Sequence, residues 1–241
     1  MTFVTERLGS KVGGLIANLP SHMLISLVFL GIMNGADYVV EMTPGIPVGM
    51  MLNSIFTFAF VLLLRFGLLA ATAGSLLIWL VTAVGAAYLF TDNMVVNIVV
   101  YVVVTLATYL ALEHVFVIRA VSTAKKRYSL VQMILRAVFA GSVVVSVLLL
   151  SKLLNPLVLG IFSVFPAVML VTMVILAINQ NRQFAQATGK VLILSSSNIV
   201  VFGLGIAFTY PRMGIVWGTA VSFIAAGVWV WIISPIVQRG K

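Results

Sequence analysis

Polar and turn-forming residues in this chain gather in a few short clusters, with solid apolar runs between them. The clusters are Asn34-Gly35-Ala36-Asp37, Arg65-Phe66-Gly67, Thr91-Asp92-Asn93, Ser122 to Ser129, Asn179 to Arg182 and Tyr210-Pro211-Arg212. They help to set off eight apolar stretches, at 12–33, 46–64, 67–90, 93–114, 131–151, 156–178, 189–210 and 213–236. A membrane-spanning helix needs roughly 20 such residues, so each stretch predicts one span. Runs such as Val95 to Tyr109 lack the alternating polarity of a barrel strand, which excludes a β-barrel. The breaks at Arg65-Phe66-Gly67 and Tyr210-Pro211-Arg212 are tight and predict helical hairpins.

The apolar pattern repeats. Val12 to Asn34, VGGLIANLPSHMLISLVFLGIMN, lands 146 residues further on Val158 to Gln180, VLGIFSVFPAVMLVTMVILAINQ. Gly14 and Pro20 meet Gly160 and Pro166, Met23 and Leu24 meet Met169 and Leu170, and Ser26 meets Thr172. Apolar segments match each other by composition alone, but a Gly and a Pro held six apart in both copies are harder to obtain by accident. Further on, Asn53 aligns with Asn198, and Gly67, Thr72, Ala73 and Ser75 align with Gly214, Thr219, Ala220 and Ser222. Spans 1–3 therefore pair with spans 6–8, with spans 4 and 5 between them.

Composition then fixes the solvent. Of 241 residues, 62% are hydrophobic and 8% charged, more apolar surface than a water-soluble domain can hide. The expected fold is all-α, a polytopic membrane protein of about eight transmembrane helices. The net charge of +9 points to orientation and anionic headgroups and not to nucleic acid. With no cysteine, disulfides, thiolate metal sites and Cys nucleophiles are excluded together. The opening MTFVTERLGSK mixes acid with base and leads into the first span without a small-residue cleavage site, so that span is expected to stay.

Lys and Arg set the direction of insertion. With the N-terminus in the cytoplasm, the inside segments collect Arg7, Lys11, Arg65, Arg119, Lys125, Lys126, Arg127, Arg136, Arg182, Lys190, Arg239 and Lys241. Only Lys152 and Arg212 fall outside. Such a bias predicts a cytoplasmic (inner) membrane protein with both termini in the cytoplasm. The second copy of the repeat starts five spans after the first, so the copies run oppositely through the bilayer. The loops agree, because Asp37 and Glu41 follow span 1 whereas Arg182 and Lys190 follow span 6. The resulting organisation is 1–114 as first repeat plus span 4, 115–130 as a basic cytoplasmic loop, and 131–241 as span 5 plus second repeat.

Candidate chemistry follows from polar groups at membrane depth. Pro20 and Pro166 remove a backbone donor and clash with the preceding turn, so each helix should kink or break there. Gly13, Gly14 and Gly160 lie upstream and allow close backbone approach. Gly14, Pro20, Gly160 and Pro166 are thus expected as hinges, although prolines in membrane helices also serve packing alone. Asn18, His22, Asn53, Ser197 and Asn198 are expected to line a path if spans 1, 2, 6 and 7 surround the axis. For Asn53 and Asn198, interhelical packing is as good a reading, and the Ser195 to Ser197 run reads more simply as close packing. His22 is the one clearly intramembrane titratable group, since Glu113 and His114 lie near the inner end of span 4. No acids pair up at depth, no metal-ligand spacing is visible, and no phosphate loop or catalytic triad occurs. Neither an enzyme nor a cofactor is implied. The STAKKRYS stretch reads as a topology signal before an anionic-lipid contact.

The LIANLPS and IFSVFPAVML segments, with the acidic loop and TPGIPVG at Thr43 to Gly49, resemble a family of small uncharacterised prokaryotic membrane proteins. Its archaeal members are similar in having two such halves. The resemblance covers spans 1–2 and 5–7 and implies the repeat, but no substrate.

Two oppositely inserted copies give each conformation open to one side a counterpart open to the other, the logic of alternating access. The expected function is a transporter for a small solute or an amphipathic, lipid-like molecule, neutral or anionic because the spans offer no embedded carboxylate. The alternatives are an ion or small-solute channel, or a non-transporting scaffold or lipid-binding protein. Membrane lipids and the unknown solute or lipid are the expected partners, with a homo-oligomer left open and nucleic acid excluded.

Overall fold

The computed structural model describes residues 20–118 and 130–239. All regular structure among them is helical. The order is α1 (Ser21–Asn34), α2 (Ala36–Met42), α3 (Gly45–Leu63), α4 (Leu68–Leu89), α5 (Met94–Leu110), α6 (Leu130–Leu150), α7 (Pro156–Ser163), α8 (Ala167–Asn179), α9 (Arg182–Ser195) and α10 (Ser197–Arg239). A 3-10 turn extends α3 over Leu64–Phe66, and a π-helical turn extends α5 over Ala111–Val115.

Among the described residues, five helical stretches are long and apolar enough to cross a membrane: Gly45–Phe66, Leu68–Leu89, Met94–Val115, Pro156–Asn179 and Arg182–Pro235. The last runs to 54 residues, far more than one crossing needs. It contains a hairpin, because Gly214 leaves the helical region at φ 71°, ψ −178°. The two arms fold back on each other: Thr209 donates to the Gly218 carbonyl at 3.1 Å, and Trp229 Nε1 donates to Ser197 Oγ at 2.9 Å. The hairpin expected at Arg65-Phe66-Gly67 is built alike, on Gly67 at φ 116°, ψ 165°. A side chain at such a φ costs backbone strain, which glycine avoids. The two glycines are 147 residues apart, the pair that the sequence comparison aligned.

Four boundaries differ from the expectation, one of them at Ser196, where the expected seventh span 189–210 is divided between α9 and α10. The polar segment after Asn34 holds a short helix, α2, which buries Val39 and Met42 between α7 and α10. Helix α9 starts at Arg182, seven residues before the expected span, because the Asn181 side chain accepts the Phe184 amide at 2.7 Å and caps it. The sixth span is two helices, α7 and α8, separated at Val164-Phe165-Pro166.

Helix α3 is the hub. It packs on α4, α5, α7, α9 and α10, and nearly all of it is buried. Helices α4 and α5 are equally apolar yet show most of their surface outward, as lipid-facing helices do. Helix α6 touches both α1 and α8, the two helices that follow the repeated prolines.

Candidate functional site

One face of α3 carries Gly45, Gly49, Asn53 and Thr57, four residues apart, so they align along the axis as a single stripe. The stripe faces the broken helix. At its upper end the backbones of α3 and α7 nearly touch: a Cβ on Gly160 would overlap the Met42 carbonyl, and one on Gly45 would overlap that of Leu157. Small residues at such a crossing let two helices approach without side chains between them.

The break itself has a plain cause. Pro166 has no amide hydrogen, and its ring collides with the turn before it, so the chain leaves the helix at Val164 (φ −106°, ψ 23°) and resumes at Ala167. The carbonyls set free at this depth need donors. Phe162 accepts from the Phe165 amide at 3.0 Å, and Phe165 accepts from Ala167 at 2.8 Å. The Ser163 hydroxyl donates to the Gly160 carbonyl at 2.7 Å. Val164 finds its partner on another helix, where Asn53 Nδ2 donates to its carbonyl at 2.6 Å. Asn53 Oδ1 in turn accepts from Trp79 Nε1 at 3.0 Å, and the indole lies edge-on to Phe162 and Phe165, with centroids 5.5 and 4.9 Å away. The Thr57 hydroxyl reaches Met169 Sδ at 3.9 Å, one turn below. Asn53, Trp79 and the break thus form one buried tie that fixes the angle between α7 and α8.

The segment around Pro20 is described from Pro20 onward. Gly14 and Asn18 lie outside the described residues, as does the basic loop Ser122 to Ser129. Pro20 is buried and precedes α1 with φ −77°, ψ 53°, close to Pro166 at φ −76°, ψ 29°. Each proline carbonyl accepts from the amide four residues on, Leu24 at 2.9 Å and Leu170 at 2.8 Å. The repeated hydroxyls behave alike: Ser26 donates to the His22 carbonyl at 3.1 Å, and Thr172 donates to that of Val168 at 2.6 Å. His22 is half-buried, one turn into a helix that packs on α6 and α10. Ser197 and Asn198 sit on the first arm of α10, where Ser197 accepts from Trp229 and Asn198 is fully buried and engaged. Of the expected path residues, Asn53 stands at the Pro166 break, while Ser197 and Asn198 form a second centre on α10.

Trp79 and the Val164 carbonyl were not among the expected site residues. A signal existed for Trp79. Tryptophans of membrane proteins favour the interfacial belts, and one placed in the middle of a span must find a partner for its N–H.

A third polar group joins α9 to α3 and α5. Arg182, Gln186 and Lys190 lie four residues apart on α9. Arg182 Nη1 donates to the Arg65 carbonyl at 3.1 Å and Gln186 Nε2 to the Val61 carbonyl at 2.9 Å, which satisfies carbonyls at the end of α3. Lys190, 3% exposed, donates to Glu113 Oε2 at 2.5 Å and to the Ile118 carbonyl at 2.6 Å. Both Arg182 and Lys190 were read only as topology signals, yet each also holds the fold together.

The sequence model of a family described as "Protein of unknown function (DUF3147)" matches residues 1–92. No curated protein and no solved structure matches the chain.

Proposed function

We propose that this chain is a membrane transporter that moves a small solute, or an amphipathic and lipid-like molecule, by alternating access between inverted repeats. The observation that carries the reading is the α7–α8 break. It is a helix interrupted inside an apolar stretch, with a freed carbonyl held by a side chain of a neighbouring helix and not by its own backbone. Discontinuous helices of this kind form midplane sites in many secondary transporters. A tie of one side-chain amide can be exchanged for a ligand or water, whereas a continuous helix offers no such exchange.

The repeat is supported by paired local geometry: Pro20 with Pro166, Ser26 with Thr172, and Gly67 with Gly214. Each hairpin is also tied across by a tryptophan of its second arm, Trp79 in one and Trp229 in the other. The family match ends at Asp92, in the cluster that closes the third span, so the matched length coincides with the proposed unit. In this reading the chain crosses the membrane eight times with both termini in the cytoplasm. Pro20 and Pro166, with Gly14 and Gly160, are the hinges, and Asn18, His22, Asn53, Ser197 and Asn198 line the path. A neutral or anionic substrate suits a site without a carboxylate.

The test is a thermal-shift screen of purified protein in mild detergent, against neutral and anionic metabolites, inorganic ions and lipid headgroups, followed by counterflow in liposomes with each hit. A ligand at about 100 times its dissociation constant adds roughly 2.7 kcal/mol of stability, a visible shift. The expected result is a saturable hit, weakened in Asn198→Ala, that supports counterflow. Flux without saturation or counterflow would make the protein a channel. Stabilisation by lipid alone, with no flux or lipid scrambling, would make it a scaffold or lipid-binding protein.

A further inference from the structure

The end of the molecule at the Gly67 hairpin gathers cations. Arg65 is exposed, and its guanidinium lies over the Phe66 ring, 4.6 Å from the centroid. Arg182, also exposed, comes to the same turn from α9, which packs on Leu64–Phe66, and its Nη1 donates to the Arg65 carbonyl at 3.1 Å. Two helices thus bring one arginine each to a single hairpin tip. No carboxylate pairs with either among the described residues. Glu113 is taken by Lys190, about two turns further along α9. Asp37 and Glu41 lie on α2, beside the other end of α3, and Asp92 follows the far end of α4. That end is about 33 Å away at 1.5 Å per residue, roughly four Debye lengths at physiological salt.

Apolar surface continues from the cations. Phe66 is 65% exposed and Leu69 82%, and Leu77, Leu80 and Val84 are exposed further along α4. At about 100° per residue, these α4 positions fall within about 80° of one another around the helix. They form one strip that starts beside the arginines and runs down the outer face of α4. A free inorganic anion has use for the cations alone. A phospholipid uses both features, because guanidinium groups bind phosphate through paired N–H donors and an acyl chain covers exposed leucines.

We propose that the Arg65–Arg182 tip and the α4 strip bind an anionic phospholipid, its phosphate at the guanidinium groups and an acyl chain along Leu69, Leu77 and Leu80. The site goes beyond the transporter reading and stands without it, needing only that α4 faces lipid. The Tyr210-Pro211-Arg212 hairpin supplies an internal control. Arg212 also lies over a phenylalanine, Phe208, at 3.8 Å, but its Nη1 donates to the Phe208 carbonyl of its own arm. There the cation is held within one arm, whereas the Gly67 tip joins arginines from two helices.

The test is a thermal-shift titration of the intact protein in neutral detergent. The probes are short-chain phosphatidylglycerol, phosphatidylcholine of the same chain length, and inorganic phosphate. Phosphatidylglycerol should raise Tm saturably and at lower concentration than phosphatidylcholine, and phosphate should leave Tm unchanged. Arg65→Gln should raise the midpoint concentration for phosphatidylglycerol about fivefold, the worth of one arginine at an anionic headgroup. Its lipid-free Tm should stay close to that of the parent, since the Arg65 guanidinium is exposed and rests on the Phe66 ring. Arg65→Lys should recover most of the affinity, and Arg212→Gln should keep the parent midpoint. Equal response to the two lipids, or an unchanged midpoint in Arg65→Gln, would overturn the proposal. So would an equal rise in Arg212→Gln, which would show diffuse charge and no site. A rise in Tm with inorganic phosphate alone would overturn lipid as the occupant. Counterflow in liposomes, present or absent, bears on the transporter reading and leaves this result as it stands.

Discussion

Helix α3 has two polar interfaces, and they are finished differently. Towards α7 and α8, glycines bring backbones together and Asn53 spends both ends of its amide, one on the Val164 carbonyl and the other on Trp79. Towards α5, Ser54 and Thr105 pair, and Asn97 Nδ2 donates to the Pro44 and Thr91 carbonyls. The first interface is a closed tie around an interruption, the second a row of separate pairwise contacts along a continuous helix. Both are buried, so the contrast is not one of solvent exposure. It separates a network that holds a helix break from single contacts between two uninterrupted helices.

Substitutions should expose the difference in order of size. Gly160→Val comes first, because its side chain would need the space of the Met42 carbonyl and Gly45 backbone. No folded, monodisperse protein is expected on size-exclusion chromatography, since the backbones of α3 and α7 cannot part without losing the tie. Next stands Glu113→Ala, expected to cost about 3 kcal/mol by leaving Lys190 charged, buried and paired with a carbonyl alone. Its counterpart Lys190→Met should cost less, because Glu113, at 32% exposure, can still reach water. Equal losses in urea melts of the two variants would contradict that asymmetry. Asn53→Leu should cost about 2–4 kcal/mol, as the Val164 carbonyl and the Trp79 N–H both lose their partner. Ser54→Ala is the smallest, about 0.5–1 kcal/mol in the same melts, since one neutral hydroxyl–hydroxyl bond is lost. Were Ser54→Ala to match Asn53→Leu, the α5 interface would be as tightly finished as the tie, and the comparison would fail.

Much of this was legible in the sequence because five helical stretches among the described residues are apolar over lengths that suit a membrane. Hydropathy marks helices when every outward residue must be apolar, and Pro166 near the middle of an apolar run marked the α7–α8 break. Gly67 and Gly214, aligned in the sequence, both have positive φ at the turn of a helical hairpin. The sequence was less informative wherever a side chain works through a distant partner. Asn53 reads equally as glue or site until Val164, 111 residues away, supplies the missing half. Lys190 looks like a loop charge because its carboxylate lies 77 residues back on another helix. Helix α2 escaped because a seven-residue helix with Asp37 and Glu41 on it has the composition of a loop. The stripe of Asn97, Tyr101 and Thr105 was visible as spacing, but only the packing against α3 shows that it faces inward.

The central claim is that the two halves enter the membrane in opposite directions. The chain has no cysteine, so single cysteines can be placed without further change. Asp37 and Gln183 are exposed and stand just after α1 and α8, the helices that follow Pro20 and Pro166. Asp37→Cys and Gln183→Cys should be labelled by a membrane-impermeant maleimide in oppositely oriented vesicles, Asp37→Cys from the periplasmic face and Gln183→Cys from the cytoplasmic face. Labelling of both from the same face would place the two copies in parallel, and alternating access through inverted repeats would then be wrong.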